Sequence, residues 1–224
     1  MLLLRLMVST IVFAALASAQ DHVSFATQDG GLIYADVYGT GDRGVVLAHG
    51  GQFKKESWDK QARVLAANGF RVLAFDFRGF GQSRGPGQAD LFTAPVYLDV
   101  LAAVRYLRKS GAKTVSLVGG SFGGEAAANA AIQAEPGEID RVVLLAAGPG
   151  DQPEKFKVPK LLIIARDDAN DDGPRLPKIR VEWEKVPEPK ELIVLEGSAH
   201  AQFLFQTDQG DRVMREILRF LTSR

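Results

Sequence analysis

A serine at position 121 stands in a pattern that can supply a nucleophile. Gly119, Ser121 and Gly123 form Gly-x-Ser-x-Gly, between an apolar run at 115–118 and an alanine-rich segment at 122–134. A serine on a sharp strand-to-helix turn has strained backbone angles, and glycines on both sides relieve the crowding. Its hydroxyl then projects beyond the sheet, next to the positive end of the following helix. We interpret Ser121 as a candidate nucleophile, with a glycine-rich turn and an incidental serine as the alternative.

A serine hydroxyl needs a base, which is usually a histidine oriented by a carboxylate. Of the three histidines, only His200 follows both the serine and an acid at the end of a predicted strand. Two adjacent acids, Asp167 and Asp168, follow the apolar run at 161–164. The spacing from the strand end favours Asp168, and Asp167 is the alternative. We predict His200 as general base and Asp168 as the acid that orients it.

A glycine pair early in the chain suggests where a negatively charged oxygen would be held. His49 is followed by two glycines, directly after the apolar run at 45–48. Glycines there let backbone N–H groups approach a substrate oxygen without a side chain in the way. We expect one oxyanion donor from Gly51 or Gln52 and a second from the N–H of Phe122. His49 itself is interpreted as a structural hydrogen-bonding residue of the turn.

Other side chains near these positions have less specific signals. Phe53, Phe122 and Phe203 are candidates for lining a substrate pocket, with ordinary core packing as the alternative. Glu125 stands four residues after the serine on an otherwise alanine-rich segment. We predict that Glu125 makes a buried hydrogen bond or ion pair, with no partner identified.

The elements that must position these residues alternate between strand and helix. Apolar, β-rich runs occur at 23–25, 32–37, 45–48, 72–75, 115–118, 142–146, 161–164 and 192–195. Helix-length segments lie at 57–68, 94–110, 122–134, 174–186 and 210–221. This alternation predicts an α/β fold with a mostly parallel sheet of about eight strands and helices on both faces. A Gln-Asp-Gly-Gly turn at 28–31 predicts that the first two strands are antiparallel.

The N-terminal segment is typical of a secretory signal. Residues 1–19 contain one positive charge, an apolar stretch and a small-residue Ala-Ser-Ala end, and the stretch is short for a membrane-spanning helix. We predict cleavage and an exported protein, periplasmic or secreted, without stable membrane insertion; an uncleaved anchor is the alternative. Residues 20–224 are predicted to form one domain.

Composition excludes several function classes. The 27 basic and 27 acidic side chains leave a formal net charge of zero, so no basic surplus exists to bind nucleic acid. The chain has no cysteine, which excludes disulfides, thiolate metal sites and a cysteine nucleophile. No metal or organic cofactor is expected, and the oligomeric state stays open.

Together these motifs resemble those of the α/β-hydrolase superfamily, over nearly the whole chain after residue 19. The nucleophile, acid and base follow in family order as Ser121, Asp168 and His200. The chain is most similar to small dienelactone-hydrolase-like and serine-aminopeptidase-like esterases, although a dienelactone hydrolase proper uses cysteine. The resemblance further implies that Asp76 and Arg78 brace the loop beside the site rather than act in catalysis.

The resemblance implies a serine hydrolase that cleaves small carboxylic esters through an acyl-enzyme. Larger relatives insert a helical lid where this chain has only the 13 residues 147–159, so we expect no cap domain and an open site. Peptidase, thioesterase or acyltransferase activity at the same site is the alternative. A non-catalytic binding protein on this fold is a further alternative.

Overall fold

The computed structural model describes residues 20–91 and 93–223 and consists of alternating strands and helices. The predicted signal segment at 1–19 lies outside these described residues. The strands are β1 (Asp21–Ala26), β2 (Leu32–Tyr38), β3 (Arg43–Ala48), β4 (Phe70–Phe75), β5 (Thr114–Gly120), β6 (Val142–Leu145), β7 (Lys160–Ala165), β8 (Ala169–Asn170), β9 (Gly173–Pro174) and β10 (Lys190–Leu195). The helices are α1 (Asp59–Ala67), α2 (Tyr97–Lys109), α3 (Phe122–Gln133), α4 (Arg175–Glu184) and α5 (Gly210–Thr222).

Eight strands of the described chain form one sheet in the order β1-β2-β4-β3-β5-β6-β7-β10. The six strands from β4 to β10 in this order are parallel, whereas β2 is antiparallel to both β1 and β4. The prediction of a mostly parallel sheet with an antiparallel first pair is therefore confirmed. Strands β8 and β9 form a separate two-residue hairpin.

The central strands are apolar on both faces because helices cover both faces. Every residue of β6 and β7 is buried, as expected for strands enclosed on both sides. Helices α2, α3 and α4 pack on one face of the sheet, and α1 and α5 pack on the other. The alanines that fill α3 let this helix lie close to β5 and β6, which fixes the position of its first turn.

The connection between β6 and β7 is short, and the described residues form no separate cap. Its only regular structure is the 3₁₀ turn Pro153–Lys155. The expectation of a fold without a cap domain is confirmed. No helix within residues 20–91 and 93–223 has both the length and the apolarity needed to cross a bilayer.

A buried ion-pair cluster holds the segment that follows β4. Arg78 is fully buried, and its guanidinium lies 2.6 Å from Asp99 Oδ1 and 2.6 Å from Asp29 Oδ2. A third acceptor is the carbonyl oxygen of Pro86, 2.8 Å away. The hydrogen bonds from Arg78 lower the pKa of Asp29 below its usual value. Arg78 therefore ties the hairpin after β1, helix α2 and the loop after β4 together, in the bracing position that the family resemblance implied.

We expect Arg78→Met to lower the free energy of unfolding by about 3–5 kcal/mol in urea denaturation, because it leaves the fully buried Asp99 carboxylate without its countercharge. The matched control is Arg63→Met, which removes the exposed ion pair with Asp59 and should change stability very little. Equal losses in the two variants would contradict this account of the cluster.

Candidate active site

The candidate residues meet at the carboxyl edge of the parallel sheet. The turn beginning at His49 follows β3, Ser121 follows β5, Asp168 comes shortly after β7, and His200 comes in the loop after β10. The chain passes from β3 to β4 on one side of β3 and then crosses back to β5 on the other side, and this reversal of strand order opens a crevice at the edge. The fold thus brings together residues that are up to 151 positions apart in the chain.

The backbone at Ser121 is held in a strained conformation by close packing. Ser121 has φ 50° and ψ −122°, a combination that L-residues adopt at a cost of about 1–3 kcal/mol. A Cβ at Gly119 would lie 2.4 Å from the carbonyl oxygen of Gly123, and a Cβ at Gly123 would lie 2.4 Å from that of Ala48. Both glycines of the motif are therefore required by backbone contact. The Ser121 N–H donates to the Leu145 carbonyl oxygen at 2.9 Å, which ties the turn to β6.

Ser121, His200 and Asp168 form a continuous hydrogen-bonded chain. The distance from His200 Nε2 to Ser121 Oγ is 2.8 Å, and that from His200 Nδ1 to Asp168 Oδ2 is 2.7 Å. Because an ionised carboxylate can only accept, Nδ1 carries the hydrogen and Nε2 of the neutral ring is free to accept the serine proton. Asp168 is fully buried, and Ser121 and His200 are half-buried at the crevice. The geometry is that of a nucleophile, a base and an orienting acid.

The choice between the two adjacent aspartates is made by burial. Asp167 is exposed and its backbone N–H donates to the Gly197 carbonyl oxygen, whereas the buried Asp168 carboxylate accepts the hydrogen bond from His200 Nδ1. Of the two aspartates only Asp168 contacts His200 in the described chain, so the geometry favours Asp168 over Asp167. Asp168 Oδ1, the oxygen that His200 does not use, lies 3.4 Å from Nε of Arg175.

Two residues to which the sequence analysis assigned no role belong to this region. Arg175 begins α4, donates its backbone N–H to the Asp168 carbonyl at 2.8 Å and lines the crevice. Gln202, two residues after His200, is buried with a polar side chain. The one available signal for Gln202 was a glutamine within the apolar run Ala201–Gln206. No local pattern distinguishes Arg175 from other surface arginines.

The predicted oxyanion donors are available to a ligand. Within the described chain, the backbone N–H groups of Gly51, Gln52 and Phe122 donate no hydrogen bond. All three residues line the same cavity as Ser121 and His200. Phe122 is the first residue of α3, so its N–H is among those that a helix cannot satisfy internally and adds to the positive end of the helix. These amides have the type and position needed to stabilise a developing negative charge on oxygen.

His49 supports the oxyanion turn from beneath as a neutral ring. It is fully buried, its Nδ1 donates to the Gly50 carbonyl at 2.9 Å, and its Nε2 accepts the Phe77 N–H at 3.3 Å. Burial lowers the pKa of His49 to about 4. Asp76 Oδ1 lies 3.8 Å from His49 Nε2, but the two do not form an ion pair because the ring is neutral. Asp76 Oδ1 instead accepts a hydrogen bond from the Lys55 backbone N–H at 2.8 Å. Asp76 thus braces the loop after the turn, as the family resemblance implied.

The cavity above Ser121 has mostly apolar walls and a volume of about 350 Å³. The rings of Phe53 and Phe203 contact each other at the cavity, with centroids 5.0 Å apart. Phe203 is 38% exposed, so it stands at the opening rather than in the core. All three candidate pocket phenylalanines line this cavity, together with Phe80 and Leu91.

The prediction that Glu125 makes a buried hydrogen bond or ion pair is wrong. Glu125 is exposed and lines a groove next to the cavity together with Asp151 and Tyr97. No ion pair or hydrogen bond of the Glu125 carboxylate occurs in the described chain, and the nearby Gly148 backbone acts only to lower its pKa in part. Desolvation in the groove and the nearby charge of Asp151 raise the pKa of Glu125. With no lid over this part of the crevice, the first turn of α3 is open to solvent at this position.

The groups available for chemistry at this edge are a hydroxyl, an imidazole, a carboxylate and backbone amides. Across residues 20–91 and 93–223, no group of three or more His, Asp or Glu side chains is arranged to hold a metal ion. The three protein groups instead bind one another in the Ser121–His200–Asp168 chain.

Because burial holds the pKa of His49 near 4 in the folded protein, His49 should make stability depend on pH. Between pH 6.5 and about 4 the unfolded chain binds the histidine proton and the folded protein does not, so this contribution to stability is lost as pH falls. We expect the free energy of unfolding to fall between pH 7 and 4.5 by about 2–3 kcal/mol more in the wild type than in His49→Asn. Chemical denaturation at both pH values measures this difference, and an equal fall in both proteins would contradict a neutral buried His49.

Comparison with known proteins supports the assignment of the fold. The family model described as alpha/beta hydrolase fold matches residues 44–175, which is more than half of the chain. The non-heme chloroperoxidase of Streptomyces lividans is 32% identical over 151 residues, covering 66% of this chain and 48% of that protein. An epoxide hydrolase of Caballeronia sordidicola is 34% identical over 90 residues, covering 39% of this chain and 26% of that protein. The matches thus span about half, or less, of the length of these relatives.

Solved structures share the fold at lower sequence identity. An esterase of Pyrococcus furiosus superposes with a TM-score of 0.73 at 20% identity, covering 96% of this chain and 98% of that chain. A bromoperoxidase of Bacillus anthracis superposes with a TM-score of 0.72 at 20% identity, covering 91% and 100% of the two chains. At this identity the similarity concerns the fold alone. With the family match over residues 44–175, the chain belongs to the α/β-hydrolase superfamily.

Proposed function

We propose that the protein is a serine carboxylesterase in which Ser121 is the nucleophile, His200 the general base and Asp168 the orienting acid. One observation carries the proposal: the hydrogen-bonded chain from Ser121 Oγ through His200 to Asp168, at 2.8 and 2.7 Å. The free backbone amides beside Ser121 add to it, because they suit a carbonyl oxygen that becomes negatively charged. The proposed substrate is a small carboxylic ester.

In the first half-reaction, Ser121 Oγ attacks the ester carbonyl carbon while its proton passes to His200 Nε2. The carbonyl π electrons move onto oxygen, and the amides of Gly51 or Gln52 and of Phe122 stabilise the resulting oxyanion. When the carbonyl re-forms, the ester C–O bond breaks and the alcohol leaves with the proton from His200. The product is an acyl ester of Ser121. Asp168 stabilises the transient imidazolium without taking its proton.

In the second half-reaction, water replaces the alcohol. His200 Nε2 takes a proton from the water as its oxygen attacks the acyl carbon, and the same amides stabilise the second oxyanion. Collapse breaks the bond to Ser121 Oγ, which regains its proton from His200. The carboxylic acid leaves, and the enzyme returns to its starting state.

Other activities use the same groups and are separated by substrate. The curated relatives are named as haloperoxidases and epoxide hydrolases, but their matches span about half of their length or less. Peptidase, thioesterase and acyltransferase reactions also begin with attack by an activated serine on a carbonyl carbon. A panel of p-nitrophenyl esters, acyl thioesters and aminoacyl amides separates them. Faster cleavage of a thioester or an amide than of the matched ester would replace the carboxylesterase assignment.

The test of the nucleophile is Ser121→Ala. We expect kcat for p-nitrophenyl butyrate to fall by roughly 10³-fold or more, because members of a triad act as a unit. A fluorophosphonate probe should label the wild type and fail to label the variant. The matched control is Ser110→Ala, an exposed serine at the end of α2, which should retain both turnover and labelling. Full turnover by Ser121→Ala would contradict the proposal.

The apolar walls predict a dependence on acyl length. Each buried methylene contributes about 0.8 kcal/mol, so the two methylenes added from p-nitrophenyl acetate to butyrate should raise kcat/KM by up to about 15-fold. Phe203→Ala opens the wall that Phe203 forms with Phe53 and should reduce this rise to about threefold or less. Val181→Ala, which alters an exposed apolar side chain on α4, is the control and should keep the wild-type profile. An unchanged profile in Phe203→Ala would place the acyl chain elsewhere.

A further inference from the structure

Gln202 is a buried polar side chain in the loop that also carries His200. It lies two residues after His200, in the 3₁₀ segment Ala201–Gln206, and is 3% exposed. The proposed reaction gives its side chain no chemical step. Burying an amide is unfavourable unless its donor and acceptor both find partners, so the contacts of Gln202 show what it holds.

The amide of Gln202 binds both ends of the loop that contains the oxyanion donors. Its Oε1 accepts the backbone N–H of Gly50 at 3.0 Å, and its Nε2 donates to Ser57 Oγ at 2.8 Å. Ser57 Oγ donates in turn to the Lys54 carbonyl oxygen at 2.7 Å. Gly51 and Gln52 lie between these two attachment points. The position of their N–H groups therefore depends on a side chain that is 152 residues away from Gly50 in the chain.

The same amide also packs against the strand that carries the nucleophile. A Cβ at Gly120 would lie 2.7 Å from Gln202 Oε1, and a Cβ at Gly50 would lie 3.1 Å from it. A side chain at Gly120 would push this oxygen away from the Gly50 N–H. Gln202 thus lies where the turn after β3, the end of β5 and the His200 loop come together.

The backbone conformation at Ala201 allows Gln202 to contact Gly50 while His200 contacts Ser121. Ala201 has φ 50°, in the left-handed region that alanine rarely adopts. Ala201 is fully buried, and the change of backbone direction there lets His200 reach Ser121 while Gln202 reaches Gly50. Because Ala201 is strained and joins these two contacts, we infer that the surrounding structure holds both contacts in place.

We propose that Gln202 is a positioning residue that holds the Gly51 and Gln52 amides at the oxyanion site. It acts from the loop of the general base, so base and oxyanion donors keep a constant relative position. This inference rests on the proposed esterase function, because an oxyanion forms only if Ser121 attacks a carbonyl. Loss of one oxyanion donor lowers turnover by about 10²–10³-fold. Loss of the support for a donor should lower kcat by about 10–100-fold, with KM changing by less than about threefold, because the bound ester carries no oxyanion and the charge develops only during the reaction.

The test compares substrate turnover with binding of a transition-state analogue. An alkyl trifluoromethyl ketone adds Ser121 Oγ at its carbonyl carbon, so its oxygen becomes a hemiketal oxyanion at the same amides. Gln202→Met has a similar length but provides no amide. Ser57→Ala removes the partner of Nε2 and the hydrogen bond to the Lys54 carbonyl oxygen, but leaves Oε1 bound to Gly50. In Gln202→Met we expect the ketone inhibition constant to rise by the same factor by which kcat/KM for p-nitrophenyl butyrate falls. Ser57→Ala should show the same proportionality with a smaller change.

Gln206→Met is the matched control, since Gln206 is exposed at the end of the same 3₁₀ segment; it should leave both constants unchanged. Wild-type kcat and ketone inhibition in folded Gln202→Met would overturn the inference, as would a fall in kcat/KM without a matching rise in the inhibition constant. If Gln202→Met does not fold, the proportionality in Ser57→Ala decides. A wild-type protein that neither cleaves esters nor reacts with a fluorophosphonate would overturn the proposed function itself, and this inference with it.

Discussion

The site depends on how closely three backbone segments approach one another at the end of β5. A hydrogen atom is all that fits at Gly119 against the Gly123 carbonyl, or at Gly123 against the Ala48 carbonyl. This contact forces the chain to turn within one residue, and Ser121 takes the positive φ that results. The turn directs the hydroxyl out of the sheet and leaves the first N–H of α3 beside it. The strain at Ser121 is thus a consequence of packing that the alanine-rich helix and the central strands maintain.

The other candidate residues of the site reach this turn from loops that follow neighbouring strands. His200 and Asp168 follow β10 and β7, which pair with each other in parallel along their full length. The oxyanion turn follows β3, which pairs directly with β5, with Ala48 opposite Gly119. The paired strands therefore set the distances between these segments, and the loops determine only where the side chains point. Neutral His49 and the amide of Gln202 occupy the layer between the sheet and the crevice, where a polar group must satisfy its hydrogen bonds internally.

The crevice itself is shaped by a small number of side chains because no cap covers it in the described chain. Aromatic rings form its walls, and Arg175 is held at its margin beside Asp168. The exposure of Glu125 shows the consequence of the missing cap most directly. On the first turn of α3, with alanines around it, the same carboxylate beneath a lid would need a partner, whereas here it lies in an open groove. An open site leaves specificity to the walls of one cavity of about 350 Å³ and to the groove beside it.

The sequence alone determined the features that depend on neighbouring residues. The apolar runs placed all eight strands of the main sheet, and glycines around Ser121 predicted a turn that only glycine permits. The chain order of serine, acid and histidine selected Ser121 and His200, and the spacing from the strand end favoured Asp168 with Asp167 as the alternative. Only the tertiary structure showed that Asp168 is the buried neighbour and the one that contacts His200. It alone placed Glu125 in solvent and connected Gln202 to Gly50. Local periodicity specifies which face of an element is apolar, but what packs opposite a given side chain is decided by contacts between distant parts of the chain.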